Sequence, residues 1–137
     1  MKDNSVFDCK VLQLNKIHNR AGNITIIENS LDIPFDVKRI YYLYDIPSNE
    51  TRGGHAHKEL YQLVIGASGS FNIKINDGTT EQTVFLNSPD QGLLIVPGIW
   101  RDLSNFSSGS VCLVFASEFY SEEDYIRDYK EFLTFKE

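Results

Sequence analysis

The sequence predicts an all-β domain, a β-sandwich, jelly roll or small barrel, with one helix at its C-terminal end. Two observations carry this. Short runs rich in Val, Ile, Leu, Phe and Tyr follow one another along the chain, separated by turn-forming clusters such as IPSNETRGG, NDGTT and NSPDQG. Apolar residues at helical spacing occur only near the end. The 137 residues fit a single domain, 1–137, with one core.

In chain order, the strand-like runs are FDCKVLQL, NITIIEN, VKRIYYLYD, LYQLVIGA, SFNIKIND, TEQTVFLN, GLLIVP and SVCLVFASEFY, and RGGHAH is strand-like as well. Asn76-Asp77-Gly78 lies between two alternating runs and marks a hairpin, because glycine accepts the positive φ such turns need. Ser121 is placed to cap the terminal helix, with acidic residues 122–124 in its first turn. Tyr125, Tyr129, Phe132 and Leu133 then form its apolar stripe.

The formal charge of −6 argues against nucleic acid as a partner, which calls for a basic face. An anionic ligand must instead be held by a few placed cations. Cys9 and Cys112 fit neither a zinc nor a disulfide spacing, and Cys112 in VCLVFA reads as a small apolar core residue. No basic start with a following apolar stretch and no run of membrane-spanning length is present, so a cytoplasmic protein without a membrane partner is expected.

His55 and His57 are the residues that carry chemistry. Two apart on an extended strand, they project to the same face. On their own they read equally as an exposed pair in a glycine-rich loop. Their surroundings resemble the first signature of the cupin superfamily, in the frame His55, His57, Gln62, Gly69; Gly92, Pro97, Gly98, Arg101 and Asn105 resemble the second. Metal cupins take their ligands from two histidines, an acid and a later histidine. Here those places hold His55, His57, Gln62 and Arg101. Glutamine is a weaker ligand than a carboxylate, and arginine offers only donors. A metal-free site without a cofactor is expected, and both histidines are free for acid–base work.

KRIYYLYD, RGGHAHK, GLLIVPGIWRDLSNFS and ASEFYSEEDYIRDYKEFL together closely resemble the sugar-nucleotide 3,4-ketoisomerases, from about Gly22 to the C-terminus. These are metal-free cupins acting on dTDP-4-keto-6-deoxyglucose in the synthesis of 3-amino-3,6-dideoxyhexoses. The resemblance implies a cupin jelly roll (a double-stranded β-helix) and a homodimer, often with exchanged N-terminal strands. Some members have histidine at the place of Arg101, and NRAGN matches the family only loosely around Ala21; the configuration of the product at C4 stays open at this point.

The resemblance also implies roles. His55 and His57 form the acid–base pair, with the order between them open. Tyr42 helps to move the hydroxyl proton between O3 and O4, while Tyr44 fills the core. Arg52 binds the diphosphate through its fork of donors. Arg39 and Arg127 are secondary nucleotide contacts, although Arg127 on the terminal helix could instead pair with Glu123. Trp100 packs against sugar or base, or fills the barrel. Gln62 bonds the sugar or orients a histidine, and Arg101 lies beside the reacting carbons. Two other readings share the same scaffold: a dTDP-sugar 3,5-epimerase and a non-catalytic sugar-nucleotide binder.

Overall fold

The computed structural model describes all residues 1–137. Two five-stranded antiparallel sheets face one another. The first runs β1 (Lys10–Gln13), β9 (Gln91–Ile95), β6 (Gln62–Ser68), β11 (Val111–Ala116), β4 (Arg39–Leu43). The second runs β12 (Tyr125–Ile126), β5 (Arg52–His57), β10 (Trp100–Ser104), β7 (Phe71–Asn76), β8 (Glu81–Leu86). Most neighbours within a sheet are distant in sequence, and this interleaving is the jelly roll that the cupin signatures imply. A separate hairpin, β2 (Asn15–Asn19) with β3 (Gly22–Ile26), stands outside both sheets, and the helix α1 (Tyr129–Lys136) closes the chain.

The main core fills one end of the space between the sheets, with Val64, Leu93, Ile95 and Val114 from the first meeting Phe71, Ile73, Ile75 and Leu103 from the second. The outer face of the first sheet is covered by Leu14, Ile33 and Phe35, packed on Leu63, Ile65 and Leu94. The outer face of the second is covered in part by α1, whose Phe132 packs against Trp100, Ala56 and Ile126. Cys112 is fully buried in the core and its thiol is pushed up to about 12, as expected of an inert core residue; Cys9 is also unpaired.

The hairpin expected at Asn76-Asp77-Gly78 joins β7 to β8. The Asp77 carboxylate accepts the N–H groups of Thr79 and Thr80 at 2.9 and 2.8 Å, and Gly78 takes φ 97°. The terminal helix differs from its expected form. Ser121 makes no capping bond, residues Glu122–Asp124 form a single 3₁₀ turn, and Tyr125–Ile126 pair with β5 as a strand. Burying Ile126 beside Ala56 outweighs the local helical pattern. The helix begins at Tyr129, where the Asp128 carboxylate accepts the Lys130 N–H. Strands β2 and β10 also lie outside the runs marked in the sequence, since NKIHN is wholly exposed and WRDLS mixes charge with apolar bulk. No helix is long and apolar enough to cross a membrane.

Candidate active site

Beside the main core, whose Val64, Ile95, Leu103 and Val114 form part of its wall, the two sheets part around a cavity of about 400 Å³. Strand alternation decides what enters it. On β10, Arg101 and Leu103 face inward while Trp100 and Asp102 face outward. On β5, His55 stands across from Arg101, and Arg52 stands across from Leu103. Gly53 and Gly54 therefore oppose the single Asp102, which is a β-bulge. Gly53 sits at φ 89°, a backbone angle that favours glycine, and a Cβ there would lie 2.8 Å from Leu103 Cδ1, which would have to shift. The bulge lets Arg52 and His55 line the same cavity although they are three residues apart.

The two histidines share a face, as their spacing predicts, with ring centroids 4.8 Å apart and edges to face. Their surroundings differ. His55 lines the cavity, and its Nε2 is buried without a partner. Burial, then the nearby Arg101, lowers its pKa to about 2. His57 is fully buried behind it, with Nδ1 2.9 Å from Asp124 Oδ2 and Nε2 again without a partner. Burial lowers His57 to about 4, and the Asp124 carboxylate opposes that shift. Both are therefore neutral imidazoles near pH 7.

A hydrogen-bonded chain crosses from one sheet to the other. Arg101, 2% exposed, donates to the Gln62 side-chain oxygen and, at 3.1 Å, to the Ile99 carbonyl. The Gln62 amide donates to the Tyr41 hydroxyl at 3.0 Å. Burial raises the Tyr41 pKa and lowers that of Arg101, whose guanidinium still carries only donors. Arg39 lies between the rings of Tyr41 and Tyr120, at 5.3 and 5.5 Å, with its Nε and Nη2 buried and unpartnered. Arg127 stacks on Tyr125 at 4.1 Å. Arg52 sits exposed on the cavity rim, and neither Arg39 nor Arg52 is in an ion pair.

The structure thus brings Arg39, Arg52, His55, Gln62, Arg101 and Arg127 to one cavity, with His57 immediately behind. Four expectations need correction. Tyr44, expected to fill the core, is 60% exposed, with its ring 5.6 Å from that of Tyr42. Tyr42 does not face the cavity: it pairs with Leu113 on the outer face and is 60% exposed, whereas its neighbour Tyr41 lines the site. Trp100 cannot share a pocket with Arg101, the next residue on the same strand; it packs edge-on against Tyr129 at 5.3 Å and beneath Phe132 at 5.7 Å. Arg127 lies before the helix rather than on it, and its partner is Glu122 at 2.6 Å, not Glu123. Tyr41 and Tyr120 were not singled out in the sequence, and Asp124 and Tyr125 were read only as residues of the terminal helix. Counting alternate residues from Arg39 would have found Tyr41; the others depend on how the tail folds back.

Residues 7–137 match the family described as FdtA: WxcM-like, C-terminal. A curated relative from Aneurinibacillus thermoaerophilus, TDP-4-oxo-6-deoxy-alpha-D-glucose-3,4-oxoisomerase, is 42% identical over 123 residues, spanning 90% of this chain and 88% of the relative. The crystal structure of a 3,4-ketoisomerase from Helicobacter canadensis superposes with a TM-score of 0.92 at 46% identity, covering 94% of this chain and 97% of that one. A mutant of the 3,4-ketoisomerase QdtA from Thermoanaerobacterium thermosaccharolyticum, in complex with TDP-4-keto-6-deoxyglucose, superposes with a TM-score of 0.92 at 39% identity, covering 93% of each chain.

Proposed function

Since the chain belongs to the FdtA family, we propose that it is a TDP-sugar 3,4-ketoisomerase, moving the keto group of TDP-4-keto-6-deoxyglucose from C4 to C3. The observation that carries this reading is the cavity itself, where a neutral imidazole, His55, stands beside a linked set of donors, Tyr41, Gln62 and Arg101.

The C3 proton is acidified by the C4 ketone. A neutral histidine takes it, and the electron pair of the C–H bond becomes the C3–C4 double bond of an enediol as the carbonyl electrons move onto O4. Arg101 supplies a fixed positive charge for that oxygen, an arrangement of the kind that stabilises oxyanions elsewhere. Return of a proton to C4 and loss of the O3 proton leave a ketone at C3. Tyr41 is the hydroxyl placed to pass a proton between O3 and O4, in the role first assigned to Tyr42. His55 is assigned the carbon-bound proton because it lines the cavity, and His57 supports it from behind. A well-placed general base contributes about 10²–10⁴-fold in rate. The reaction is redox-neutral overall and calls for no cofactor. Arg52 and Arg39, with donors free of ion pairs, are assigned to the diphosphate, and Arg127 to the rim.

The product feeds the synthesis of 3-amino-3,6-dideoxyhexoses in this proposal, because a C3 ketone is the group an aminotransferase needs. A homodimer, with exchange of N-terminal strands, is also proposed. Its support is the apolar surface left open by Ile17 and Ile24 on the outlying hairpin and by Ile40 and Tyr42 on the edge strand β4. Light scattering of the native chain and of Ile24→Glu tests it, with a smaller species expected for the variant.

The reaction is tested by an NMR time course with TDP-4-keto-6-deoxyglucose in deuterated buffer. Appearance of the 3-keto sugar with deuterium at C4 is expected. Tight binding with neither exchange nor product would overturn the enzymatic reading in favour of a sugar-nucleotide binder.

A further inference from the structure

We propose that Asp124 is the positioning residue that decides which nitrogen of His57 carries the hydrogen, and so holds the Nε2 lone pair of His57 ready behind His55. The inference rests on the acid–base reading above.

Asp124 Oδ2 lies 2.9 Å from His57 Nδ1, and an ionised carboxylate can only accept. Nδ1 must therefore bear the hydrogen, which leaves a lone pair on Nε2. That atom is buried with no partner in the protein, so the acceptor is held ready inside a closed space. The carboxylate is itself fixed: Oδ1 accepts the Glu59 N–H at 2.8 Å, and the Asp124 carbonyl accepts the Lys58 N–H at 2.9 Å. The residue after it, Tyr125, pairs with His57 across the β5–β12 ladder, so the two strands set the Asp124 position directly.

The groups around His57 are His55 on its own strand, Arg101 on β10, Arg39 on β4 and Tyr125 on β12. Two of these are guanidinium groups, which oppose a positive imidazole. Asp124 brings the negative charge that counters them, and its hydrogen bond to Nδ1 orients the imidazole.

Asp124→Asn separates this role from a structural one. The asparagine oxygen can keep the Glu59 N–H bond, while its amide donates to Nδ1 and forces the hydrogen onto Nε2. Two-bond ¹H–¹⁵N spectra of histidine-labelled protein read the tautomer without reference to activity. The expected result is Nδ1–H for His57 in the native chain and Nε2–H in Asp124→Asn, with kcat lowered at least about 100-fold and KM within about 3-fold, as for a reversed tautomer behind an acid–base group. Asp124→Glu should restore part of the rate and the native tautomer. Native protein with hydrogen on Nε2, an asparagine variant with unchanged kcat, or a rate loss matched by weaker TDP binding and a lower Tm would each overturn the inference. If the native chain itself fails to turn over, the isomerase reading falls instead, and the spectra still decide the tautomer.

Discussion

Arg101 stands directly across the β5–β10 ladder from His55, so a fixed cation and an imidazole project from one face of the same sheet. The guanidinium adds to burial in holding His55 neutral, with its pKa at about 2, while His57 sits at about 4. In the unfolded chain both titrate near 6.5. Below that value the unfolded state binds more protons than the folded one, so stability present above about pH 6.5 is lost as pH falls toward 4. For His57 alone the loss is on the order of 3 kcal/mol. Thermal melts between pH 8 and 4.5 should show a falling Tm, with a shallower slope in His57→Asn. The acid limb of kcat/KM should likewise lie below pH 6.5, and Arg101→Met, which removes the cation, should move it upward.

Tyr41 and Tyr42 separate the two faces of β4. Tyr41→Phe keeps the ring and removes the hydroxyl that accepts from Gln62, and kcat should fall by about 10²-fold or more, within the range for a proton-transfer group. Tyr42→Phe should leave steady-state rates within about 2-fold, as expected of a surface change. Equal losses in both variants would mean that the hydroxyl chemistry lies elsewhere.

That pair also shows what the sequence made legible and what it did not. The period-2 rule placed His55 and His57 together because both lie on one unbroken stretch of strand. The same rule, applied from the inward Arg39, selects Tyr41; choosing Tyr42 followed the resemblance instead of the alternation. Trp100 and Arg101 were both assigned to substrate, which neighbouring residues on a strand cannot satisfy. The bulge at Gly53 could not be read from local spacing, since it needs the facing Asp102 to define it. The tail was least legible: Tyr125 fits a helical stripe and a strand equally well, and only Ile126 finding Ala56 decides between them.

Arg52→Ala should weaken TDP binding by about 1.5–3 kcal/mol, the scale of a charged hydrogen bond, which is about 10- to 150-fold in Kd. The intrinsic chemical step should change much less. Calorimetric titration with TDP checks this, and an unchanged Kd would return Arg52 to an ordinary rim charge.

Trp100→Ala should act on stability and not on recognition. Trp100 packs under α1 against Phe132 and Tyr129, outside the cavity, so its loss should cost about 3–5 kcal/mol. Denaturant melts should show the loss, with TDP affinity preserved wherever the variant remains folded.

Arg101→His should change the configuration of the product. The enediol is planar at C4, and the face that receives the proton fixes a gluco or galacto product. Arginine does not donate that proton at neutral pH, so delivery falls to the histidines and one face should be favoured; the resemblance to the 3,4-ketoisomerases points to gluco as that product. A histidine at 101 adds a titratable donor on the inner face of β10 and should raise the galacto fraction, with a companion change near Ala21 as needed. The H4–H5 coupling in NMR spectra measures the ratio. If Arg101→His and Arg101→Met both turn over with the native ratio, residue 101 does not select the face.

His55 and Arg101 belong to one sheet, while Tyr41, Gln62 and Arg39 belong to the other, with the Gln62–Arg101 bond spanning them. The groups to which the proposal assigns the reaction are therefore mounted on two plates whose separation is set by the apolar filling of the sandwich. Trimming or enlarging Ile73 or Phe71, neither of which lines the cavity, alters that filling and so the gap across which a proton must pass. Laboratory evolution for new sugar substrates or for altered product ratios should recover such remote interior substitutions alongside changes at the cavity wall.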